Sequence, residues 1–343
     1  MPYSQAFWTN DLTSIIGSRE GWGVPETIKR ARMSSLKLSR DDSFMNEPVA
    51  CMNDQWLPTS QVGISLFDAG FVFGATLIET QRTFGQELRF LFHHLERFQR
   101  NASQCSFGTL PDKQHLTETI EELIEQNRSF LGKSDELSVY LFATPGRLDI
   151  PDGHPMWGVY SQKFSFERYR KFFEQGVDLL SPDVSPIPAS AIDPHIKHRS
   201  RFHWWLAEQQ VKRDAPAGTA PLPLLIDEAG IVYDTPIANF GIARNGMVIF
   251  PKAETVLDGI GLKITKEILI GEQIKFIEDD IHLSTMLDEA DEAFITGSGI
   301  GVCPVKSVVG EEMPKNPGPI TRRLQEQWNK LVGIDIAGQF RTS

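Results

Sequence analysis

Four short segments of the sequence combine charged side chains with free backbone donors, which together can bind a small anionic molecule. Arg97 places a cation on a predicted helix whose other face is apolar, and Lys197 lies between a proline-rich loop and an aromatic helix. Asp234 directly follows a predicted strand. Residues 257–261 (Leu-Asp-Gly-Ile-Gly) open a helix with two glycines, so the backbone can approach an anion closely and direct free N–H groups at it. Each residue alone has an ordinary surface or turn interpretation, and only the combination indicates a site.

Other segments of the sequence match known cofactor-binding, catalytic and metal-binding motifs poorly. The segment 297–301 (Gly-Ser-Gly-Ile-Gly) follows a strand, but a dinucleotide fingerprint needs a helix at the third glycine, whereas Val302 and Pro304 continue a strand. Ser298 is not part of a Gly-x-Ser-x-Gly elbow, so a hydrolase nucleophile is not indicated. The histidines lack the spacing with a helical glutamate that zinc proteases use, and no metal site is predicted.

Two α+β units with many antiparallel hairpins are predicted to position these segments. Turn signals at Asn53-Asp54, Gly85-Gln86, 227–230 and Asn245-Gly246 indicate the hairpins. Residues 181–194 contain four prolines and are predicted to form a non-helical loop. Helices are predicted over 92–104, 111–130, 198–213, after 259, and over 321–331, and strands over 77–84, 138–143, 157–164, 177–180, 237–243, 247–251, 293–296 and 302–305.

The length of 343 residues is long for one hydrophobic core and suggests two domains. We predict an N-terminal extension over residues 1–46, a small α+β domain over 47–168 and a larger domain over 169–343, with the site at their interface.

Composition excludes several classes of protein. Apolar residues make up 41% and charged residues 23%, which is ordinary globular usage and excludes disordered and fibrous chains. A formal net charge of −11 argues against nucleic acid or an anionic membrane as partner. No apolar run approaches the ~20 residues that span a bilayer, residues 1–23 do not resemble a secretory signal, and the three cysteines form no CxxC pair. We therefore expect a cytoplasmic protein.

The ordered set of motifs resembles the fold-type IV, or class IV, pyridoxal-phosphate-dependent aminotransferase family. That family contains branched-chain and D-amino-acid aminotransferases, (R)-selective amine transaminases and aminodeoxychorismate lyase. The resemblance covers residues 49 to 331 and implies a two-domain α+β fold, with a smaller N-terminal α/β domain and a larger C-terminal domain of mostly antiparallel strands. The segments that carry it are Phe67–Gly74, Ile78–Thr80, His94–Arg97, Ile196-Lys197, Asp234 with Asn239-Phe240, Leu257–Ile260, and Phe294–Thr296 with Ser298.

The resemblance implies a role for each matching residue. Lys197 corresponds to the lysine that condenses with the cofactor aldehyde and then moves the substrate proton, a task that suits an amine of lowered pKa. Arg97 corresponds to the arginine that binds the cofactor phosphate, and Ile260 and Gly261 to the phosphate-binding positions at a helix N-terminus. Asp234 corresponds to the acid that keeps the pyridine nitrogen protonated. Thr296 and Ser298 fall in the stretch that closes the phosphate end and borders the substrate.

Several positions depart from the family pattern. Asp234 stands where glutamate is usual and is one methylene shorter. Gly261 replaces a hydroxyl residue, which removes one hydrogen bond to the phosphate. Phe202 replaces a tyrosine of branched-chain aminotransferases, and Pro145-Gly146 replaces an Arg-Gly pair of D-amino-acid aminotransferases, which weakens a D-amino-acid assignment.

The resemblance implies transamination of the branched-chain-aminotransferase type, between an amino acid or amine and a 2-oxo acid, by a homodimer. Two alternatives stay open. Thr80 and the sequence Lys197-His198 with Arg201 are more similar to aminodeoxychorismate lyase, a pyridoxal-phosphate lyase. The departures at Asp234 and Gly261 are also consistent with a non-catalytic relative.

Overall fold

The computed structural model describes residues 47–150 and 154–342, so the extension predicted over 1–46 lies outside the described residues. The first of two sheets has six strands in the order β2-β1-β6-β5-β3-β4, and every neighbouring pair is antiparallel. The strands are β1 (Val49–Met52), β2 (Gln55–Pro58), β3 (Leu77–Phe84), β4 (Glu87–Leu88), β5 (Leu137–Thr144) and β6 (Met156–Lys163).

Two long helices cover one face of this sheet. They are α2 (Leu91–Gln104) and α3 (Lys113–Asn127), and a short helix α1 (Ala69–Val72) precedes β3. Apolar side chains of both helices pack with inward-facing residues of β5 and β6 in one core cluster. Arg97 lies on the buried face of α2, between Leu95 and Phe98, and not on the solvent face that its charge alone indicates.

The second sheet has eight strands in the order β11-β10-β9-β12-β13-β7-β8, with β14 paired to β13. The pairs β10–β9, β9–β12 and β12–β13 are antiparallel, and the pairs β7–β8, β7–β13 and β10–β11 are parallel. The strands are β7 (Val177–Leu180), β8 (Pro221–Pro223), β9 (Asn239–Arg244), β10 (Met247–Phe250), β11 (Phe276–Glu278), β12 (Glu292–Gly297), β13 (Gly301–Val308) and β14 (Glu311–Glu312).

Within the part of the chain that the structure describes, six helices accompany the second sheet, and its core is the larger of the two main clusters. None of the helices in the described ranges is long and apolar enough to cross a membrane. The helices are α4 (Arg170–Gln175), α5 (Phe202–Asp214), α6 (Ile260–Gly271), α7 (Leu283–Glu289), α8 (Pro319–Val332) and α9 (Ile336–Thr342).

The predicted α+β arrangement, with a smaller N-terminal unit and a larger C-terminal one, is confirmed. The turn between β9 and β10 has φ 51° at Asn245 and φ 78° at Gly246, as the Asn-Gly signal indicates. The chain passes from one sheet to the other between Lys163 and Val177. The boundary at 168–169 stays a prediction.

The helix predicted over 198–213 begins later, at Phe202, so the prediction was wrong for its first four residues. The helix begins no earlier because residues 197–199 pair with residues 76–78, at the start of β3. The Ile78 N–H donates to the Lys197 carbonyl (3.1 Å), and the Arg199 N–H donates to the Thr76 carbonyl (2.8 Å). This pairing places Lys197 beside the first sheet.

Candidate active site

A cavity of about 730 Å³ is lined by residues of both sheets and of the loops between them. The first sheet contributes Thr80, Tyr140 and Tyr160, and the second contributes Asn239. The structure brings every predicted site residue to this cavity, namely Arg97, Lys197, Asp234, Ile260, Gly261, Thr296 and Ser298.

Lys197 is held in place through its backbone. Its N–H donates to Asn101 Oδ1 (3.0 Å), on the buried face of α2, and its carbonyl accepts from Ile78 in β3. Asn101 is fully buried, and its Nδ2 also donates to the His195 carbonyl (3.2 Å). The chain is therefore fixed to α2 just before Lys197 and to β3 just after it, which leaves the side chain free to face the cavity.

The environment of Lys197 favours a neutral amine. Burial, together with the positive charges of Arg97, Arg201 and Arg199, lowers its pKa to about 7, against the opposing charge of Glu79. Among the described residues, no carboxylate forms an ion pair with this amine. A neutral amine is the nucleophilic form, so the site activates Lys197 near neutral pH.

A buried network fixes Arg97 from behind the cavity. Its Nε and Nη2 donate to the two carboxylate oxygens of Glu79 (2.8 and 2.7 Å), and its Nη1 donates to the Asp258 carbonyl (2.9 Å). His94 Nδ1 contacts Glu79 at 2.8 Å, and because burial lowers the pKa of His94, its ring is neutral and donates. Burial alone would raise the pKa of Glu79, but Arg97 outweighs it and the pKa falls to about 2.

Glu79→Gln should strongly destabilise the protein because it leaves the Arg97 charge buried and unpaired. Removing one partner of a buried ion pair costs about 3–5 kcal/mol, which urea unfolding would measure. The pKa of Glu79 is lowered, so its contribution is complete above the ordinary pKa of glutamate and is lost as pH falls toward 2. Glu96→Gln, at an exposed position of α2, the helix that carries Arg97, is the control. Equal unfolding midpoints for the two variants would contradict this account of Arg97.

Asp234 presents a carboxylate to the cavity from the loop after residues 231–233. Asn239 Nδ2 donates to both of its oxygens (3.0 and 2.9 Å), and the Leu257 N–H donates to Oδ2 (3.2 Å). Burial raises the pKa of Asp234 to about 7, against these hydrogen bonds and the charge of Lys197. A carboxyl group with mainly neutral donors around it has room for one cationic partner, which a protonated ring nitrogen would supply.

The N-terminus of α6 supplies the free backbone donors that the sequence indicates. Its N-cap, Gly259, makes no side-chain hydrogen bond to the first turn, and Gly259, Ile260 and Gly261 all line the cavity. A Cβ at Gly259 would lie 2.0 Å from Asn239 Oδ1, so glycine is required there for close approach. A helix N-terminus with open N–H groups favours an anion such as a phosphate.

Close packing explains why position 261 is a glycine, and the sequence does not reveal this. A Cβ at this position would lie 2.4–2.7 Å from backbone atoms of Gly297, so the first turn of α6 rests directly on the end of β12. The hydroxyl residue common in the family is therefore excluded here by contact with Gly297. The phosphate-facing group that this position retains is its backbone N–H.

Gly261→Ser should separate α6 from β12 and weaken both folding and cofactor retention. Overpacking of this kind costs about 1–3 kcal/mol, to be measured as a lower urea midpoint. Gly271→Ser, in the last turn of the same helix, is the control because no atom lies within 4 Å of its added Cβ. A Gly261→Ser midpoint equal to that of the control would contradict the packing argument.

The side chains of Thr296 and Ser298 differ in burial and in hydrogen bonding. The Thr296 hydroxyl is fully buried, at 2.7 Å from Thr265 Oγ1 and 3.3 Å from the Gly261 carbonyl. It links β12 to α6. Ser298 is half-buried at the cavity wall. The role in cofactor binding predicted for Thr296 and Ser298 stays a prediction, and of the two only Ser298 is partly exposed.

Sequence reasoning missed the partners of these residues. The sequence places Glu79 and Asn239 in motifs but assigns neither a role. In the structure Glu79 accepts hydrogen bonds from Arg97, and Asn239 donates hydrogen bonds to Asp234. The sequence feature that could have indicated a role for Glu79 is its carboxylate, which follows two apolar residues at the start of a predicted strand. The arginines at 168 and 199 gave no sequence signal, although both line the cavity.

The residues fit a phosphorylated pyridine aldehyde. Arg97 and the N-terminus of α6 can hold its phosphate, Asp234 can pair with its ring nitrogen, and the Lys197 amine can react with its aldehyde. Asp234 fits this group best, because burial raises the pKa of its carboxyl group and its hydrogen-bond donors are neutral.

Comparison with known proteins agrees with this chemistry. The sequence profile of a family described as "Amino-transferase class IV" matches residues 76–308, more than half of the chain. D-alanine aminotransferase of Staphylococcus haemolyticus is 24% identical over 296 residues, 82% of this chain and 96% of that protein. Branched-chain-amino-acid aminotransferase-like protein 2 of Arabidopsis thaliana is 24% identical over 289 residues, 83% of this chain, and the match spans about half (50%) of that relative's length.

Solved structures share the fold at low identity. Branched-chain amino acid aminotransferase of Escherichia coli aligns with a TM-score of 0.75 at 16% identity, covering 83% of this chain and 95% of that one. 4-Amino-4-deoxychorismate lyase of Pseudomonas aeruginosa aligns with a TM-score of 0.67 at 21% identity, covering 82% and 98%. At such identities the likeness establishes the fold alone.

Proposed function

The chain belongs to the amino-transferase class IV family, and from that premise we propose that it transfers an amino group between an amino acid or amine and a 2-oxo acid. The observation that carries the proposal is the Lys197 amine, whose pKa is about 7, in one cavity with Arg97 and Asp234. Branched-chain-aminotransferase-like substrates are the first set to test, because the fold is shared with that group.

Pyridoxal 5′-phosphate is the proposed cofactor, and when bound it supplies an aldehyde for amines and a ring that accepts the electron pair of a Cα bond. Arg97 and the N–H groups of Ile260 and Gly261 would hold its phosphate. Asp234 would keep a proton at the ring nitrogen, and the stretch with Thr296 and Ser298 would close the phosphate end and border the substrate. These assignments are supported by the shared cavity.

Lys197 is proposed to carry the substrate proton. A group with a pKa near the working pH can both take up and release a proton, which is the requirement for a general acid–base catalyst. Burial and the neighbouring arginines place the pKa of Lys197 at about 7. An ordinary exposed lysine would stay protonated at that pH and could not act as the base.

The rate at which the cofactor-free protein takes up pyridoxal phosphate should rise with pH and level off above about 7. The neutral Lys197 amine is the reactive form, and its pKa is about 7 instead of the 10.5 of an ordinary lysine. Stopped-flow absorbance would follow uptake, and pyridoxal without phosphate would separate Lys197 titration from that of the phosphate. A rate still climbing between pH 9 and 10 would contradict the lowered pKa.

A homodimer in the cytoplasm is also proposed. Around α1 the aromatic side chains of Phe67, Phe71 and Phe73 are 58%, 66% and 69% exposed, and a contiguous apolar patch of this kind is typical of an interface between subunits. The three cysteines are free thiols, which is consistent with a reducing compartment. Sedimentation equilibrium would test the dimer.

A single-turnover assay tests the reaction itself. Cofactor-loaded protein would be mixed with L- and D-amino acids and amines, without an acceptor. Transamination predicts that each effective donor converts the bound cofactor to its amine form and releases one equivalent of oxo product. Cleavage of 4-amino-4-deoxychorismate with the cofactor unchanged would instead support the lyase. Failure to retain any cofactor would support the non-catalytic alternative.

A further inference from the structure

A buried chain of hydrogen bonds connects α8 to the first turn of α6. The indole Nε1 of Trp328 in α8 donates to the hydroxyl of Thr265 in α6 (3.1 Å). That hydroxyl lies 2.7 Å from the hydroxyl of Thr296 in β12, which donates to the Gly261 carbonyl (3.3 Å). All three side chains are fully buried. Two helices and a strand therefore meet at one set of polar groups.

The direction of donation in this chain is fixed at both ends. An indole N–H can only donate, so the Thr265 hydroxyl accepts from Trp328. The Gly261 carbonyl can only accept, so the Thr296 proton points at it. The remaining contact is then donation from Thr265 to Thr296. Because every proton has a partner, rotation of either hydroxyl would leave a buried polar group unpaired, and the chain resists rearrangement.

The chain ends at the turn that is proposed to hold the phosphate. Gly261 is the second residue of α6, and the first hydrogen bond of this helix runs from the Lys263 N–H to the Gly259 carbonyl (2.9 Å). The N–H groups of residues 260–262 therefore have no partner within the helix. A hydrogen bond to the Gly261 carbonyl holds the peptide units of this turn in place, so it sets the direction in which the free N–H groups point.

Trp328 also contacts the segment that leads to Arg97. Its ring packs edge-to-face with Phe90, the residue before α2, with 5.7 Å between the ring centres. A Cβ at Gly301 would lie 3.5 Å from the indole, so the start of β13 rests on the same ring. Arg97 and the N-terminus of α6, the two groups proposed to hold the phosphate, thus belong to helices that both contact Trp328.

The hydrogen-bonded chain acts from behind the cavity wall. Thr296 and Gly261 are among the described residues that line the cavity, whereas Thr265 and Trp328 are not. An apolar side chain of the same shape would fill the position of Thr265, and a buried hydroxyl costs free energy unless it is hydrogen-bonded. The hydroxyl therefore contributes an orientation that apolar packing would not, and that orientation is transmitted to the turn beside the cavity.

We propose that Trp328, Thr265 and Thr296 are positioning residues for the cofactor phosphate. Their hydrogen bonds hold the first turn of α6 so that its free N–H groups point at the phosphate, and the affinity for the phosphate depends on them. This inference rests on the proposed function, because it takes pyridoxal 5′-phosphate as the cofactor. It assigns a phosphate-specific role to Thr265 and Trp328, which lie outside the cavity.

Equilibrium dialysis of the cofactor-free protein with pyridoxal 5′-phosphate and with pyridoxal tests the proposal. Both compounds present an aldehyde and a pyridine ring to the site, so the ratio of their Kd values, compared between variants, reports the contribution of the phosphate. Thr265→Val keeps the shape of the side chain and removes its hydroxyl. This variant should lower the preference for the phosphorylated compound at least about 10-fold, the effect of one weakened charge-assisted contact, and leave the Kd of pyridoxal unchanged.

Three further variants locate the effect. Thr265→Ser keeps the hydroxyl and should keep the wild-type preference. Thr296→Val interrupts the next hydrogen bond and should lower the preference as Thr265→Val does; valine suits a strand, so this variant tests the idea even if Thr265→Val impairs folding. Thr119→Val is the matched control, because Thr119 is a buried threonine of α3 whose hydroxyl donates to the His115 carbonyl (2.8 Å), away from the cavity.

A wild-type preference in Thr265→Val and Thr296→Val would overturn the proposal. Equal losses of affinity for both compounds would overturn it as well, because they would show general damage to the site. Dialysis requires no turnover, so protein that shows the hydroxyl-dependent preference but converts no donor would contradict transamination alone. Wild-type protein that does not prefer the phosphorylated compound would contradict the proposed cofactor, and the inference with it.

Discussion

Lys197→Ala should lower kcat for transamination by about 10⁴-fold, the upper end of what a positioned proton-transfer group contributes, because the variant also loses the reactive amine. Lys197 is the only lysine among the described residues that line the cavity, so no other lysine is placed to substitute for it. The measurement is steady-state turnover of the best donor found in the panel. The variant should still fold, because Lys197 is anchored to Asn101 and Ile78 through its backbone and not its side chain.

Partial recovery of Lys197→Ala activity by added ethylamine would identify the missing group as an amine. Lys330→Ala, at an exposed position of α8, controls for the loss of a lysine elsewhere. Wild-type kcat in Lys197→Ala would remove the basis of the proposed function.

Asp234→Asn should lower kcat by about 10²–10³-fold, the usual effect of removing one preorganised electrostatic group from an active site. Asparagine has nearly the same shape but cannot carry the negative charge that holds a proton at a ring nitrogen. Asp234→Glu restores the charge and the usual residue of the family, so it should retain more activity than Asp234→Asn. Equal activity of wild type and Asp234→Asn would exclude this role.

The stability of the cofactor-free protein gives an independent test of Asp234. Its pKa is raised from 3.8 to about 7, so the folded state holds a proton that the unfolded state has released, and stability falls as pH rises from about 4 to about 7. Asp234→Asn has no such proton to lose. Urea unfolding should therefore show the variant gaining stability relative to wild type between pH 4 and pH 8.

The predictions that succeeded depend on short stretches of chain. The Asn-Gly signal predicts the β9–β10 turn because both turn residues need a positive φ. The pair of glycines at 259 and 261 predicts the open N-terminus of α6 because a helix start without side chains exposes its N–H groups.

The features that were missed depend on contacts between distant segments. The sequence predicts that Arg97 binds a phosphate but does not reveal its pairing with Glu79. That pairing requires α2 to pack on β3, which no local pattern shows. The late start of α5 arises because residues 197–199 pair with β3, 120 residues earlier in the chain. Gly261 is explained only by Gly297 in another strand. Local sequence thus indicates which groups react, and tertiary packing sets what surrounds them.

Reduction and peptide mapping would identify the amine that binds the cofactor. Protein incubated with pyridoxal 5′-phosphate, reduced with borohydride and digested should yield a single modified peptide, with the phosphopyridoxyl group on the ε-nitrogen of Lys197. Modification of another lysine instead, or recovery of the peptide around residue 197 without the adduct, would contradict the account of this cavity.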